Sequence, residues 1–165
     1  MLDTSSFGMV PNLHAVMAES PELLEGYQKL HELFEQTSLS VAERNVVWMA
    51  INVEHGCHYC VPAHTAIAKR QGLDGASIEA LRAARPLPDQ RLEVLRQFTL
   101  ALVRQRGQVP PAQVSAFLSA GFTKRNIFDI LVGVSQKVLS NYVNHLAQTP
   151  VDPPFTVYAW QPNNN

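Results

Sequence analysis

The sequence lacks the features that mark membrane, secreted and nucleic-acid-binding proteins. No segment approaches the ~18 consecutive apolar residues that a membrane span needs. No Lys or Arg occurs in residues 1–20, so the basic segment of a secretory signal is missing. The formal net charge of −1 provides no basic surface for nucleic acid or anionic lipid. We therefore expect a cytoplasmic protein that binds neither membrane nor nucleic acid.

Charge is scarce, whereas hydrophobic residues are not. Charged residues make up 16% of the 165-residue chain and hydrophobic residues make up 46%. A helical protein with so few charges has little polar surface to present to water, which favours a homo-oligomer that covers its apolar faces. The length suits one domain, predicted over residues 1–165, that buries most of the surface its unfolded chain would expose.

Helix signals occur along the whole chain and strand signals are rare, so we predict an all-α bundle of about six to eight helices. Ser40 and Glu43 form a capping box, and the helix behind them is apolar enough to be buried on most sides until Gly56 ends it. Prolines after Thr149 exclude a long helix there, and we expect residues 163–165 to be disordered. Four predicted helices span residues 41–54, 57–72, 77–84 and 89–106. Three others are predicted to begin at Pro21, Pro111 and Thr123.

The two cysteines of the chain form one Cys-x-x-Cys pair, Cys57-His58-Tyr59-Cys60, at the start of a predicted helix. This spacing brings the two sulfurs close enough to form a disulfide. The positive end of the helix dipole favours the thiolate, which is the form that attacks peroxides and disulfides. His64 lies four residues after Cys60 on the same helix face and can accept or relay its proton. The pattern therefore indicates a redox-active thiol pair.

Two other interpretations of the pair stay open. The cysteines could be small buried side chains with no chemistry. Alternatively, Cys57, Cys60, His64 and either His58 or Glu54 could fill the four positions of a zinc site. A cytosolic zinc site usually takes its last ligands from a distant segment, so the redox interpretation is favoured over the metal.

Neighbouring residues have less certain roles. His58 lies between the cysteines and either tunes the thiolate as a cation or is solvated. Tyr59 is expected to pack with its hydroxyl hydrogen-bonded, near the substrate. Asn141 and His145 lie four residues apart in the last helix and either edge the site or cap the helix.

The segment around the cysteines resembles the alkyl hydroperoxidase D-like (AhpD-like) group of the carboxymuconolactone decarboxylase superfamily. The resemblance is densest over the core motif, about residues 40–72, and residues 138–152 look like the C-terminal part of single-repeat members. The matching pattern is an acidic residue, Cys-x-Tyr-Cys, and a histidine four residues later: Glu54, Cys57, Tyr59, Cys60 and His64.

This resemblance implies an antioxidant alkyl hydroperoxide reductase. Cys60 would attack the peroxide, Cys57 would resolve the sulfenic acid, and His64 with an acidic residue would relay the proton. The resemblance also implies a thiol, lipoyl or thioredoxin-like reductant, no bound cofactor or metal, and assembly into trimers or hexamers. The alternatives are a general thiol–disulfide oxidoreductase, a lactone enzyme like carboxymuconolactone decarboxylase, and a non-catalytic zinc-binding helical protein.

The relay acid is the point at which this sequence departs from the family pattern. The best-described members place a glutamate a dozen residues before the first cysteine, where this chain has Asn45, which holds no proton at neutral pH. Many single-repeat relatives place the acid three residues before that cysteine, and this position matches Glu54. We therefore assign the relay to Glu54 and the capping role to Glu43.

Overall fold

The computed structural model describes residues 8–162, and this part of the chain forms eight α-helices and one 3₁₀ helix, without a β-strand. The prediction of an all-α bundle is confirmed. The predicted disorder of residues 163–165 falls outside the described residues. The helices are Asn12–Met17 (α1), Pro21–Glu35 (α2), Val41–Glu54 (α3), Cys60–Arg70 (α4), Gly75–Arg82 (α5), Gln90–Arg104 (α6), Pro111–Ser119 (α7), Lys124–Ala147 (α8) and the 3₁₀ helix Pro153–Tyr158.

Helix α3 begins at the capping box that the sequence predicts. Ser40 Oγ accepts a hydrogen bond from the Glu43 N–H at 3.2 Å, and Glu43 Oε2 accepts one from the Ser40 N–H at 2.7 Å. The other carboxylate oxygen of Glu43 lies 2.6 Å from Arg91 Nη1, which links α3 to α6. The capping role of Glu43 is therefore confirmed, and its carboxylate is committed to this corner of the bundle.

Helix α3 is the central helix, and α4, α5, α6 and α8 pack around it. Its middle residues, among them Val46, Val47, Met49 and Ile51, are fully buried, as the broad apolarity predicts. Each such side chain contributes about 1.5–3 kcal/mol of transfer free energy. Stacked phenylalanine rings close this core on the side of α6 and α7: Phe98, Phe117 and Phe122, with neighbouring ring centroids 4.1 and 4.3 Å apart.

Helix α8 comes unusually close to α2 and α3 where it carries Gly133. A Cβ atom at this position would lie 2.7 Å from Cε2 of Phe34 and 3.1 Å from Cγ1 of Val47. Only a glycine permits this approach, because both neighbours are themselves fully buried. The approach fixes α8 along the bundle, so that its second half runs past α4.

A second, smaller core surrounds the two cysteines. It contains Leu13 and Met17 of α1, Tyr27 of α2 and Phe155 of the 3₁₀ helix, so both ends of the described chain meet here. The side chain of Asp152 accepts a hydrogen bond from the N–H of Asn12 at 3.0 Å and ties the C-terminal tail to α1. Among residues 8–162, no helix combines the length and the apolarity that crossing a membrane requires.

Candidate active site

A tight turn between α3 and α4 places the first cysteine. Gly56 adopts a φ of +64°, which the missing Cβ permits, and ends α3 as the sequence predicts. The Gly56 N–H donates to the Val53 carbonyl and the Cys57 N–H donates to the Asn52 carbonyl, both at 3.0 Å. These two bonds form a Schellman motif, which reverses the chain and brings Cys57 in front of the next helix.

The second cysteine is the first residue of α4. The Cys60 N–H donates to Cys57 Sγ at 3.1 Å, so the first sulfur satisfies one of the free backbone donors at the start of this helix. Pro62 lies in the same first turn, where its missing N–H leaves no hydrogen bond unmade. Both cysteines are free thiols, and they are 0% and 2% exposed. The sequence-predicted pair is thus assembled, but it is closed to bulk solvent.

Helix α8 supplies polar groups to the sulfurs. Asn144 Nδ2 donates to Cys60 Sγ at 3.2 Å and lies 3.9 Å from Cys57 Sγ. Ser140 Oγ lies 4.0 Å from Cys60 Sγ. The side chain of Asn141, four residues before His145, also hydrogen-bonds to Cys60. Its Nδ2 donates to Oδ1 of Asn52 at 2.9 Å. Most of these donors therefore stabilise negative charge on Cys60 rather than on Cys57.

The two thiols differ strongly in acidity. Burial alone would raise the pKa of Cys60, but a hydrogen bond from the Cys57 thiol, the charge of Lys137 and the amides of Asn144 and Asn141 lower it to about 6. The hydrogen bond with Cys60 raises the pKa of Cys57 well above its ordinary value, and burial adds to this effect. At neutral pH the pair therefore consists of a thiolate on Cys60 and a protonated thiol on Cys57.

His64 lies one turn beyond Cys60 and contacts a buried lysine. Its Nε2 is 3.0 Å from Lys137 Nζ, and its ring lies 5.1 Å from the ring of Trp48. Burial, followed by the charge of Lys137, holds the pKa of His64 well below its usual range, so the imidazole is neutral. Nε2 accepts the lysine hydrogen bond and Nδ1 carries the ring proton. Within residues 8–162, Nδ1 has no hydrogen-bond partner.

The predicted relay acid is directed elsewhere. Both carboxylate oxygens of Glu54 pair with the guanidinium of Arg104 on α6 at 2.7 Å, and this bidentate bond lowers the pKa of Glu54. Asn45, at the alternative family position, donates to the carbonyl of Val41 and to the side chain of Gln71. The structure thus brings Cys57 and Cys60 together and places His64 one helical turn after Cys60, whereas the hydrogen bonds of Glu54 lead to α6.

The two residues between the cysteines connect the site to the tail of the chain. His58 Nε2 donates to the carbonyl of Thr149 at 2.9 Å. The hydroxyl of buried Tyr59 donates to Asp152 Oδ2 at 2.5 Å and accepts from the N–H of Leu13 at 3.3 Å. The expectation that Tyr59 packs with its hydroxyl bonded is confirmed. Both side chains hold the covering segments in place over the sulfurs.

A metal centre does not form from these groups in the described part of the chain. No three histidine, cysteine or acidic side chains are arranged there to hold an ion. His64 contacts a lysine, and Glu54 is paired with an arginine. The four ligands that the zinc interpretation requires are therefore not gathered at one point.

Sequence reasoning missed the contribution of α8. Lys137, Ser140 and Asn144 are buried and lie at steps of three and four residues, on the helix face that meets the cysteines. A polar stripe with this period inside an otherwise apolar helix is the signal that could have found them. Of the two predicted alternatives for Asn141, its hydrogen bond to Cys60 favours a place at the edge of the site over helix capping. His145 is exposed.

Comparison with known proteins agrees with this arrangement. Residues 21–90 match the carboxymuconolactone decarboxylase family, a segment that includes α2 to α5 and both cysteines. An uncharacterized peroxidase-related protein from Ralstonia eutropha JMP134, described as an alkylhydroperoxidase AhpD core, has the same fold. It aligns with a TM-score of 0.84 and 22% identity over 93% of this chain and 83% of that chain. This chain therefore has the AhpD-like fold, and its match to the carboxymuconolactone decarboxylase family covers residues 21–90.

Two further solved structures share the AhpD-like fold. An uncharacterized peroxidase-related protein from Silicibacter sp. TM1040 has a TM-score of 0.76 and 23% identity, over 92% of this chain and 82% of that chain. A protein of unknown function from Agrobacterium tumefaciens, whose name relates it to the antioxidant defence protein AhpD, has a TM-score of 0.69 and 17% identity. That alignment covers 82% of this chain and 96% of the other. No curated protein matches the chain.

Proposed function

We propose that the protein is an antioxidant alkyl hydroperoxide reductase in which Cys60 attacks the peroxide and Cys57 resolves the product. The observation that carries this proposal is the unequal hydrogen bonding of two adjacent sulfurs. Cys60 has a pKa of about 6 and receives the amide of Asn144, whereas Cys57 keeps its proton. A thiolate beside a protonated thiol is what a peroxidatic and resolving pair requires.

The reaction follows from this pairing. The Cys60 thiolate displaces alkoxide from the peroxide and becomes a sulfenic acid. The Cys57 thiol then attacks the sulfenic sulfur, forming the disulfide and releasing water before further oxidation can occur. His64, neutral and one turn from Cys60, is the proton-transfer group that its spacing predicts. An external thiol or lipoyl dithiol resets the pair by disulfide exchange.

Burial of the sulfurs supports small reactants. With exposures of 0% and 2%, neither sulfur can meet the surface of another folded protein without movement of α1 or the tail. A small alkyl hydroperoxide and a flexible dithiol arm fit this constraint better than a thioredoxin-like protein. In the cytoplasm, where thiols are kept reduced, such a pair would rest in the reactive dithiol state.

Self-association is a further part of this proposal. Helix α8 exposes large apolar side chains along one side, in two pairs whose members are three and four residues apart. The pairs are separated by eleven residues, about three helical turns, so all four side chains lie on a face that a second copy could cover. These side chains are Phe128, Leu131, Tyr142 and Leu146. Sedimentation velocity of the protein and of Phe128→Glu measures whether this face joins copies of the chain into the trimer or hexamer.

A thiol count tests the peroxidase function directly. Fully reduced protein, Cys57→Ser and Cys60→Ser are each treated with one equivalent of cumene hydroperoxide and, separately, hydrogen peroxide. We expect the unmodified protein to lose both thiols to an intramolecular disulfide, and Cys57→Ser to stop at a sulfenic acid on Cys60. Cys60→Ser should leave the peroxide unconsumed. Thiols that remain unreacted in the unmodified protein would refute the assignment. A lactone decarboxylase activity that survives Cys60→Ser would favour the lactone enzyme.

A further inference from the structure

Lys137 is a buried ammonium group without a carboxylate partner. Its side chain is 1% exposed in the middle of α8, and its amine hydrogen-bonds to Nε2 of His64 at 3.0 Å. Within residues 8–162, it forms no salt bridge with any acidic side chain. Burying an ammonium group is unfavourable unless an anion compensates it. The absence of a carboxylate partner therefore points to an anionic neighbour of another kind.

The surroundings of Lys137 identify that neighbour. Burial raises the pKa of Tyr27, and burial lowers the pKa of His31 and of His64, so these three side chains are neutral. Cys57 keeps its proton because it donates to Cys60. Cys60 is the member of this group that receives a hydrogen bond suited to an anion, from Asn144 at 3.2 Å. Ser140, three residues after Lys137 on α8, lies 4.0 Å from the same sulfur, so Lys137 and Cys60 face each other across this helix contact. The titratable side chains that interact electrostatically with Lys137 include Tyr27 and His31 on α2, Cys57 before α4, and Cys60 and His64 on α4.

We propose that Lys137 and Cys60 form a buried ammonium–thiolate pair, and that Lys137 is a positioning residue that supplies a proton through His64 when the peroxide bond breaks. The second half of this inference rests on the proposed peroxidase function. The first half does not, because it concerns only the resting charge of two side chains. Lys137 would thus perform the task that the sequence assigned to Glu54.

Cys60, His64 and Lys137 account for every proton and electron of the peroxide step. The Cys60 thiolate attacks the terminal oxygen of ROOH, so that an S–O bond forms, the O–O bond breaks and the sulfur is oxidised by two electrons. The leaving RO⁻ takes the Nδ1 proton of His64 and departs as ROH, while Nε2 receives a proton from Lys137. Sulfenic acid and neutral amine then replace thiolate and ammonium. The oxidation therefore removes the negative charge of Cys60 and the positive charge of Lys137 in the same step.

The remaining steps restore both charges. The Cys57 thiol condenses with the sulfenic acid, an S–S bond forms and water carries away the hydroxyl group with the thiol proton. An external dithiol then reduces the disulfide by two electrons and delivers two protons. One proton returns to Cys57. The other goes to Nδ1 of His64, whose Nε2 gives its proton back to Lys137, so Cys60 is again a thiolate beside an ammonium.

The test compares Lys137→Met with Lys124→Met, both in a Cys57→Ser background that leaves Cys60 as the one thiol. Lys124 is an exposed residue of the same helix, so its replacement removes the same formal charge without touching the site. The thiolate absorbance near 240 nm and the rate of iodoacetamide alkylation are followed against pH. We expect Lys137→Met to raise the midpoint of Cys60 ionisation by about one pH unit or more, and Lys124→Met to leave it unchanged. Equal midpoints in the two variants overturn the pair.

A measurement on the unmodified side chains keeps the inference testable if Lys137→Met does not fold. The ¹³Cε signal of Lys137 is compared at one neutral pH in the reduced protein and in the protein with an intramolecular disulfide. We expect the chemical shift of an ammonium in the first and of an amine in the second. The shift of an amine in the reduced protein overturns the pair, and the same shift in both states overturns proton supply by Lys137.

The proton-transfer half has its own readout. At pH 9, where Cys60 is ionised in both Lys137→Met and Lys124→Met, we expect Lys137→Met to react with peroxide about 10²-fold more slowly. Equal rates at that pH refute proton supply by Lys137. These experiments also separate the two proposals. A shifted ionisation without peroxide consumption upholds the pair and refutes the peroxidase, whereas peroxide consumption without the shift does the reverse.

Discussion

The two halves of helix α8 face the same bundle with opposite chemistry. Its first half buries Ile130 and uses Gly133 to lie against Phe34 and Val47. The buried face of its second half is polar and consists of Gln136, Lys137, Ser140, Asn141 and Asn144, each at most 1% exposed. The buried face of this one helix thus changes from apolar to polar within a few turns.

The difference lies in what each half must satisfy. Apolar packing needs only shape, and it stabilises the fold in proportion to the area removed from water. A buried polar side chain needs a partner for each of its groups, and Gln136 meets this need by accepting from Trp48 Nε1 at 2.7 Å and bonding to His31 at 2.9 Å. Such networks fix geometry more than they add stability. Changes in the first half should therefore alter folding, and changes in the second half should alter reactivity.

The largest effect on stability is expected for Gly133→Ala. The new methyl group would meet the fully buried ring of Phe34 at 2.7 Å, and strain of about 1–3 kcal/mol outweighs the gain of about 1 kcal/mol in helix propensity. Urea unfolding should show a lower midpoint, and the reactivity of the thiols should not change. Gly26→Ala in α2 is the control, because nothing lies within 4 Å of its Cβ position, and it should leave stability equal or higher. Equal midpoints for both variants would contradict the close approach.

Replacing Asn144 with leucine should have the converse effect. The Cys60 thiolate loses the amide that lies 3.2 Å from it, so its pKa rises from about 6. A thiol reacts as its thiolate, so the rate falls as pH drops through the pKa, and a raised pKa lowers the rate most near pH 6. We expect about a tenfold loss there, equivalent to about 1.4 kcal/mol, and recovery at higher pH. Ser135→Ala, on the exposed side of the helix, should keep the original profile, and an Asn144→Leu profile identical to it would refute the contact.

Tyr59→Phe tests whether α1 and the C-terminal tail shield the cysteines from solvent. The substitution removes the hydroxyl that bridges Asp152 and the N–H of Leu13, at a cost of about 1 kcal/mol. We expect a bulky maleimide to label the cysteines faster, because α1 and the tail open more often. Tyr142→Phe is the matched control, since Tyr142 is 55% exposed on α8. Unchanged labelling would show that the reagent enters by another route.

The smallest effect is expected for Glu54→Gln. Its ion pair with Arg104 is partly exposed, so the free energy of unfolding should fall by less than about 1 kcal/mol. The pKa of Glu54 is lowered, so this stabilisation is present at neutral pH and is lost as pH falls through the lowered pKa. The difference from the unmodified protein should therefore vanish in acid. Peroxide turnover should change less than twofold, and a loss of tenfold or more would restore Glu54 as the relay.

Local patterns predicted the fold well. Capping boxes and helix starts depend on residues three positions apart, and the predicted span of 41–54 agrees with α3. The pairing of Cys57, Cys60 and His64 is local for the same reason. Helix α1 escaped prediction because six residues without a side-chain cap carry too little periodicity.

Long-range contacts explain the misses. Asn144 meets Cys60 across 84 positions, and no spacing rule reaches that far. Buried helix faces are usually apolar, but polar side chains face the core in the second half of α8. A prediction based on apolar periodicity therefore fails there. Glu54 lies close to the cysteines in sequence, yet α3 ends before the turn at Gly56 and directs its carboxylate to Arg104 on α6.

The distance between the thiols and their polar partners also has a consequence during synthesis. Cys57 and Cys60 leave the ribosome long before Lys137, Asn144 and Asp152 exist to receive them. At about 5–20 residues per second, this gap lasts roughly 5–20 s. During that interval the nascent thiols have neither the cation nor the amide that tunes them, so they are ordinary cysteines. The chain thus acquires its reactive sulfur only after the last third has been translated and folded.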